Sequence, residues 1–191
     1  MNEESNLNPK KSLEIINEMI SNTRASFNDA SFYFLLWGWI IFAGGLGHYI
    51  LLEFTNYEHP YISWSVVIIG IIISIVKGVI EGKRSTTKSH LERIYIYIWF
   101  AFLASYFVII VFMENVNYQI TPLIFLLAAN ATFLSGIVLK YKPLIYGSIF
   151  IFISTIVMFN LSYDMQLLGI PITMLIGYLI PGYLLKYKAN K

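Results

Sequence analysis

The chain has 191 residues, of which 57% are hydrophobic and 13% charged, with a formal net charge of +2. Soluble domains carry about 25% charged residues, so this composition excludes a surface that faces water throughout. Cysteine is absent, which excludes disulfides, thiolate metal sites and a cysteine nucleophile.

The first segment, residues 1–30, is predominantly polar but contains one helical pattern. Asn8-Pro9 is a good helix start, an N-cap followed by proline at the first helical position. Beyond it Leu13, Ile16, Ile20 and Phe27 fall within about 60° of one another at ~100° per residue, while Glu14, Asn17, Glu18, Ser21 and Asp29 take the other side. The spacing predicts a cytoplasmic amphipathic helix over about 9–29. Two readings follow: it lies on the inner leaflet, or it docks on the protein's own loops or on a partner. Lipid-surface helices are rich in Lys and Arg, whereas Glu14, Glu18 and Asp29 outweigh Arg24 here. No cleavage site for a signal peptide stands out, so the first span is expected to be a retained signal-anchor.

Six apolar stretches follow, near 32–52, 61–80, 94–113, 122–139, 144–161 and 167–185, each about the length a bilayer requires. Runs such as VVIIGIIISIV are apolar on every face, which excludes β-barrel patterning. The expected fold is all-α: a polytopic domain over 31–186 of six helices in three hairpins, with a short tail at 187–191. Fourteen Tyr and 14 Phe suit aromatic belts at two interfaces.

All 13 basic residues lie before the first span, around the second loop, after the fourth span or after the sixth. The loops at 53–60, 114–121 and 162–166 hold only Glu53, Glu58, Glu114 and Asp164. The positive-inside rule therefore predicts cytoplasmic N- and C-termini in a cytoplasmic membrane.

Individual polar residues come next. His48 lies ~24 Å along the first span from Phe32, close to the outer interface, where it can reach water or headgroups. Grouped with Glu53, Glu58 and His59 it supplies Zn²⁺ ligand types, but no HxxxH or HExxH spacing accompanies them. These four are weak metal candidates, and the expectation is no metal and no cofactor. Lys77 and Glu81, four apart at the end of the second span, are expected to snorkel and pair. The basic loop GKRSTTKSHLER has no interleaved aromatics and reads as a topology determinant, which argues against a nucleic-acid partner. Asn130, about 12 Å into the fourth span, needs a partner for its amide and is expected to face the interior.

Small residues recur at every fourth position in three spans: Gly70, Ser74, Gly78 and Gly82; Ala128, Thr132 and Gly136; Gly169, Thr173, Gly177 and Pro181. Such stripes let helix backbones approach closely. They predict small-faced helices in the bundle interior, with the aromatic spans (YFLLWGWIIF, YIYIWFAF) packed around them. Pro181 frees the carbonyl of Gly177 and predicts a kink. SGIVLKYK at 135–142 and PGYLLKYK at 181–188 match closely, as a hairpin repeat or as similar packing and topology rules would both produce.

Catalytic motifs are not found. Leu134-Ser135-Gly136 has Phe133 where a GxSG nucleophile motif needs glycine, and no histidine follows His90. At NPKKSLEIINEMI leading into FYFLLWGWIIF, and again at YLIPGYLLKYK, the chain resembles small six-span bacterial membrane proteins of unknown function. That resemblance implies a bacterial inner-membrane location and supplies no activity. The expected function is a non-enzymatic sensor or regulatory/assembly subunit, with the lipid bilayer and a protein partner or second copy as its contacts. The alternative is a small-solute transporter or channel with a polar path near Asn130. No Asp, Glu, Lys or Arg in the central part of any span supports the alternative.

Overall fold

The computed structural model describes the backbone of residues 9–55, 57–84 and 90–190, and the side chains of Leu13, 27–55, 57–81 and 93–190. Among these residues every regular element is helical. Helix α1 runs Pro9–Phe54; a 3-10 helix, Pro60–Ser65, leads into α2, Val66–Arg84; α3 is His90–Val111 and α4 is Ile120–Val138. Helix α5 is Lys142–Met158, α6 is Tyr163–Met174, and a π-helical turn, Leu175–Leu179, joins it to α7, Ile180–Ala189. Five stretches are long and apolar enough to cross a membrane: Phe27–Phe54, Pro60–Glu81, Arg93–Val111, Ile120–Val138 and Tyr163–Ala189. The remaining expected span corresponds to α5, which is apolar but shorter at 17 residues.

Helix α1 departs from expectation. It is one unbroken helix of 46 residues, not an amphipathic helix followed by a separate span. No Gly or Pro occurs between Pro9 and Gly38, so nothing in that stretch stops the helix. At ~1.5 Å per residue it is ~69 Å long, about twice the hydrocarbon thickness of a bilayer.

The arrangement departs too. Aromatic α1 is central, packed against α2, α6, α7, the 3-10 helix and the π-helical turn, and it buries Phe27, Ala30, Phe34 and Ile40. Small-faced α2 is peripheral. Gly70 seats against Ile40 and Trp37, but Gly78 is exposed and, among the described residues, has only the Tyr33 hydroxyl near it, 4.0 Å from where a Cβ would sit. The other two stripes do face inward: Ala128, Thr132 and Gly136 are buried on α4, as are Thr173, Gly177 and Pro181 on the last helical stretch. The physical reason is that a small stripe permits close approach without compelling it. Helix α1 carries its own glycines, and they are used. A Cβ on Gly38 would meet Leu179 Cδ2 at 2.6 Å, and one on Gly45 would meet Ile170 Cγ2 at 2.5 Å.

The most extensive helix packing is between α4 and α5. Lys140 adopts the left-handed conformation (φ 50°) just past α4, and the Tyr141 N–H donates to the Gly136 carbonyl at 2.8 Å, a Schellman-type stop. This tight turn folds Tyr141 back onto the bundle, where it is buried. At Pro181 the expected disturbance takes the form of the π-helical turn. Without a proline N–H the Gly177 carbonyl is released, and it lies against Gly147 of α5.

Candidate functional site

The end of the bundle that carries Lys77, Lys140, Lys142, Lys186 and Lys188 is built around residues 27–34 of α1. Phe27 comes first. Its ring centre is 6.0 Å from that of Tyr141, and Lys188 Nζ stands 5.2 Å from both. The two LKYK stretches thus meet here, one supplying the turn tyrosine and the other a helical lysine. Their backbones differ, because Lys140 is left-handed and Lys186 is helical. Burial pushes the Tyr141 phenol above its ordinary pKa, so it remains a neutral ring suited to holding a cation.

Two residues further on, Asp29 Oδ1 pairs with Lys77 Nζ at 3.1 Å, and Lys77 also pairs with Glu81. The same ammonium lies 4.7 Å from the Phe32 ring centre, and the Tyr33 hydroxyl makes a long 3.5 Å contact to Glu81 Oε2. One cation is therefore shared by two carboxylates from α1 and α2. The Lys77–Glu81 pair was readable at i,i+4, whereas Asp29 and Tyr33 lie 48 residues from their partners and leave no local signal.

The third side belongs to Phe34. Its ring centre is 4.7 Å from Tyr178 and 5.8 Å from Trp99, and its Cβ closes on Gly182. Within about two turns, α1 touches α2, α3, the α4–α5 turn, the π-helical turn and α7. We call this band the collar. Among the described residues it brings together no nucleophile–base pair. Its physical capacity is mechanical, since any shift or rotation of α1 must disturb all of these contacts.

The other end is closed by aromatic packing. His48 is buried beneath Trp64, whose Nε1–H donates to His48 Nδ1 at 3.0 Å, and its ring lies edge-on to Tyr163 at 6.0 Å. This corrects the expected exposure to water and headgroups. Glycines of the GGLGH run make it possible: a Cβ on Gly44 would meet Trp64 Cε3 at 2.9 Å, and one on Gly47 would meet Ser63 Cβ at 3.2 Å. Glu53 and Glu58 are exposed, and His59 Nδ1 engages the Tyr61 hydroxyl at 2.9 Å. The four weak metal candidates are not brought together, and no group of three or more such ligands converges among the described residues.

Asn130 is also corrected. It is exposed, in a groove of about 400 Å³ between α3 and α4, and its Nδ2 donates to the Leu126 carbonyl at 2.9 Å. By bonding back to its own helix the amide needs no interior partner. The neighbouring Thr132 is fully buried, and its hydroxyl finds no partner among the described residues. Of the expected docking stripe, Leu13 is exposed and Phe27 is buried in the collar, while the side chains of Ile16 and Ile20 lie outside the described residues.

Several crossing-length apolar helices, and no strand among the described residues, define an all-helical membrane protein. The chain matches no protein-family model, no curated protein and no solved structure.

Proposed function

We propose that this chain is a non-enzymatic regulatory or assembly subunit of the bacterial cytoplasmic membrane that presents the first part of α1 to a protein partner. The observation that carries the reading is the single 46-residue helix gripped by the collar. A partner that binds the stretch before residue 27 acts on the same rigid rod that the bundle holds at Phe27, Asp29 and Phe34. Displacement of that stretch is thereby felt by α2, α3 and α7 at the collar. In this reading α5 is the sixth crossing, since 17 residues reach ~25 Å, the short end of what a bilayer requires. An even number of crossings then places both termini on one side, in the cytoplasm, as the lysine distribution asks. The transporter alternative draws no support from Asn130, which bonds to its own helix on an outer face.

The test is a double variant, Ile16→Ser with Ile20→Ser, compared with wild type by quantitative cross-linking and affinity purification from native membranes. Each isoleucine buried against a partner stabilises by ~1.5–3 kcal/mol, so recovery of the specific partner is expected to fall at least about tenfold. Thermal unfolding of the purified bundle should be unchanged. Recovery of the same proteins in the same amounts would overturn the reading.

A further inference from the structure

A second face of α1, between α2 and α7, adjoins the collar at Phe32. It carries an open groove of about 570 Å³, within the ~300–1,000 Å³ typical of small-molecule sites. The walls are hydrocarbon over most of their length, formed by Phe32, Leu35, Leu36, Ile40 and Val66. At the collar end stand Asn28 and Lys186, both exposed, and the buried Ser31, whose hydroxyl donates to the Asn28 carbonyl at 2.8 Å. Lys186 has no carboxylate within ion-pair distance among the described residues, because the ion pairs there involve Lys77 alone. Asp29, one residue from Asn28, is already held by Lys77. Midway along, the Trp39 indole N–H donates to the Tyr183 hydroxyl at 3.0 Å, which leaves the tyrosine proton free to donate onward.

A cation without a carboxylate partner among the described residues, at the mouth of an apolar trough, matches an anionic amphiphile by charge and by shape. We propose that this groove binds one anionic phospholipid, with the phosphate at Lys186 and Asn28 and an acyl chain along Leu35, Leu36 and Ile40. A zwitterionic headgroup brings an ammonium to an end already occupied by Lys186, and its affinity is lower for that reason. A second copy of the chain fits less well, since close helix packing in membranes uses small residues and this trough is edged by Trp39 and Tyr183. The inference stands independently of the partner reading above.

The full-length protein, purified in detergent, is offered equal amounts of phosphatidylglycerol and phosphatidylcholine with identical acyl chains, and bound lipid is counted by native mass spectrometry. Preferential retention of phosphatidylglycerol is expected. Lys186→Gln should cut that preference about tenfold, and Lys142→Gln, at an exposed lysine on α5, should leave it intact. Leu36→Trp, which fills the trough, should reduce retention of both lipids with the thermal midpoint unchanged. Equal retention of the two lipids overturns the proposal, as does insensitivity to Lys186→Gln. Displacement of the lipid by inorganic phosphate alone, or a second copy bound in its place, also overturns it.

Discussion

Gly147 and Gly177 set how closely α5 approaches the last helical stretch. A methyl group at 147 collides with the Gly177 carbonyl and the Pro181 ring, and neither can swing aside as a flexible side chain would. Gly147→Ala should therefore destabilise by roughly 1–3 kcal/mol in detergent unfolding, the usual cost of overpacking. Gly78→Ala should be neutral or slightly stabilising, because its methyl meets open space on an exposed helix face. Equal losses in both would mean that close approach is not what holds α5 in place. Gly177 was legible as part of a period-four stripe, whereas Gly147 stands alone in its helix and gave no such sign. Asn130 illustrates the opposite error. A mid-span amide looks as though it must find another helix, yet its own carbonyl four residues back already meets its need.

At the scale of elements, α2 is held to the bundle with few packed residues, so its latch to α1 matters. Lys77 carries one positive charge against two carboxylates, Asp29 and Glu81, with side-chain exposures of 23%, 46% and 31%. Such accessible pairs contribute little each, on the order of 1 kcal/mol or less. Their loss is nevertheless asymmetric. Asp29→Asn leaves a neutral Lys77–Glu81 pair, whereas Lys77→Met leaves two carboxylates facing each other without a cation. The larger stability loss, about 1 kcal/mol, is expected for Lys77→Met, and cysteine cross-linking between α1 and α2 should weaken in parallel. Equal effects would show that the latch is not a shared cation. The helical character of these elements was evident from apolar run length, and the continuity of α1 was also written in the chain, in the absence of Gly and Pro between Pro9 and Gly38. What could not be read was which helix is central. Periodicity reports a face that tolerates contact, and several faces here do.

For the whole molecule, the absence of Lys and Arg from three of the loops makes orientation testable. Cysteines introduced at Asn117 or Tyr163 should react with an impermeant reagent from the periplasmic side of spheroplasts, and one at Ser85 should not. Labelling at Ser85 would reverse the proposed orientation and remove the cytoplasmic partner with it. Composition alone made the membrane class legible, because 13% charged residues cannot clothe a water-facing surface. The collar was not legible, since Phe27, Asp29, Lys77, Tyr141 and Lys188 converge only in three dimensions. The π-helical turn at Leu175–Leu179 has a consequence at this scale. It houses one residue more than an α-helical path needs, and the wide turn absorbs that residue, so everything after it keeps its angular phase. Deleting one residue there would leave a regular α-helix with α7 still in phase, whereas one residue inserted just after the turn, in regular helix, would rotate α7 by about 100°. Leu185 would leave the core, Lys186 would leave the trough, and Lys188 would swing off Phe27, all at once. The π turn is thus a built-in tolerance for a lost codon, while one gained beyond it resets in a single event what point substitutions could alter only contact by contact.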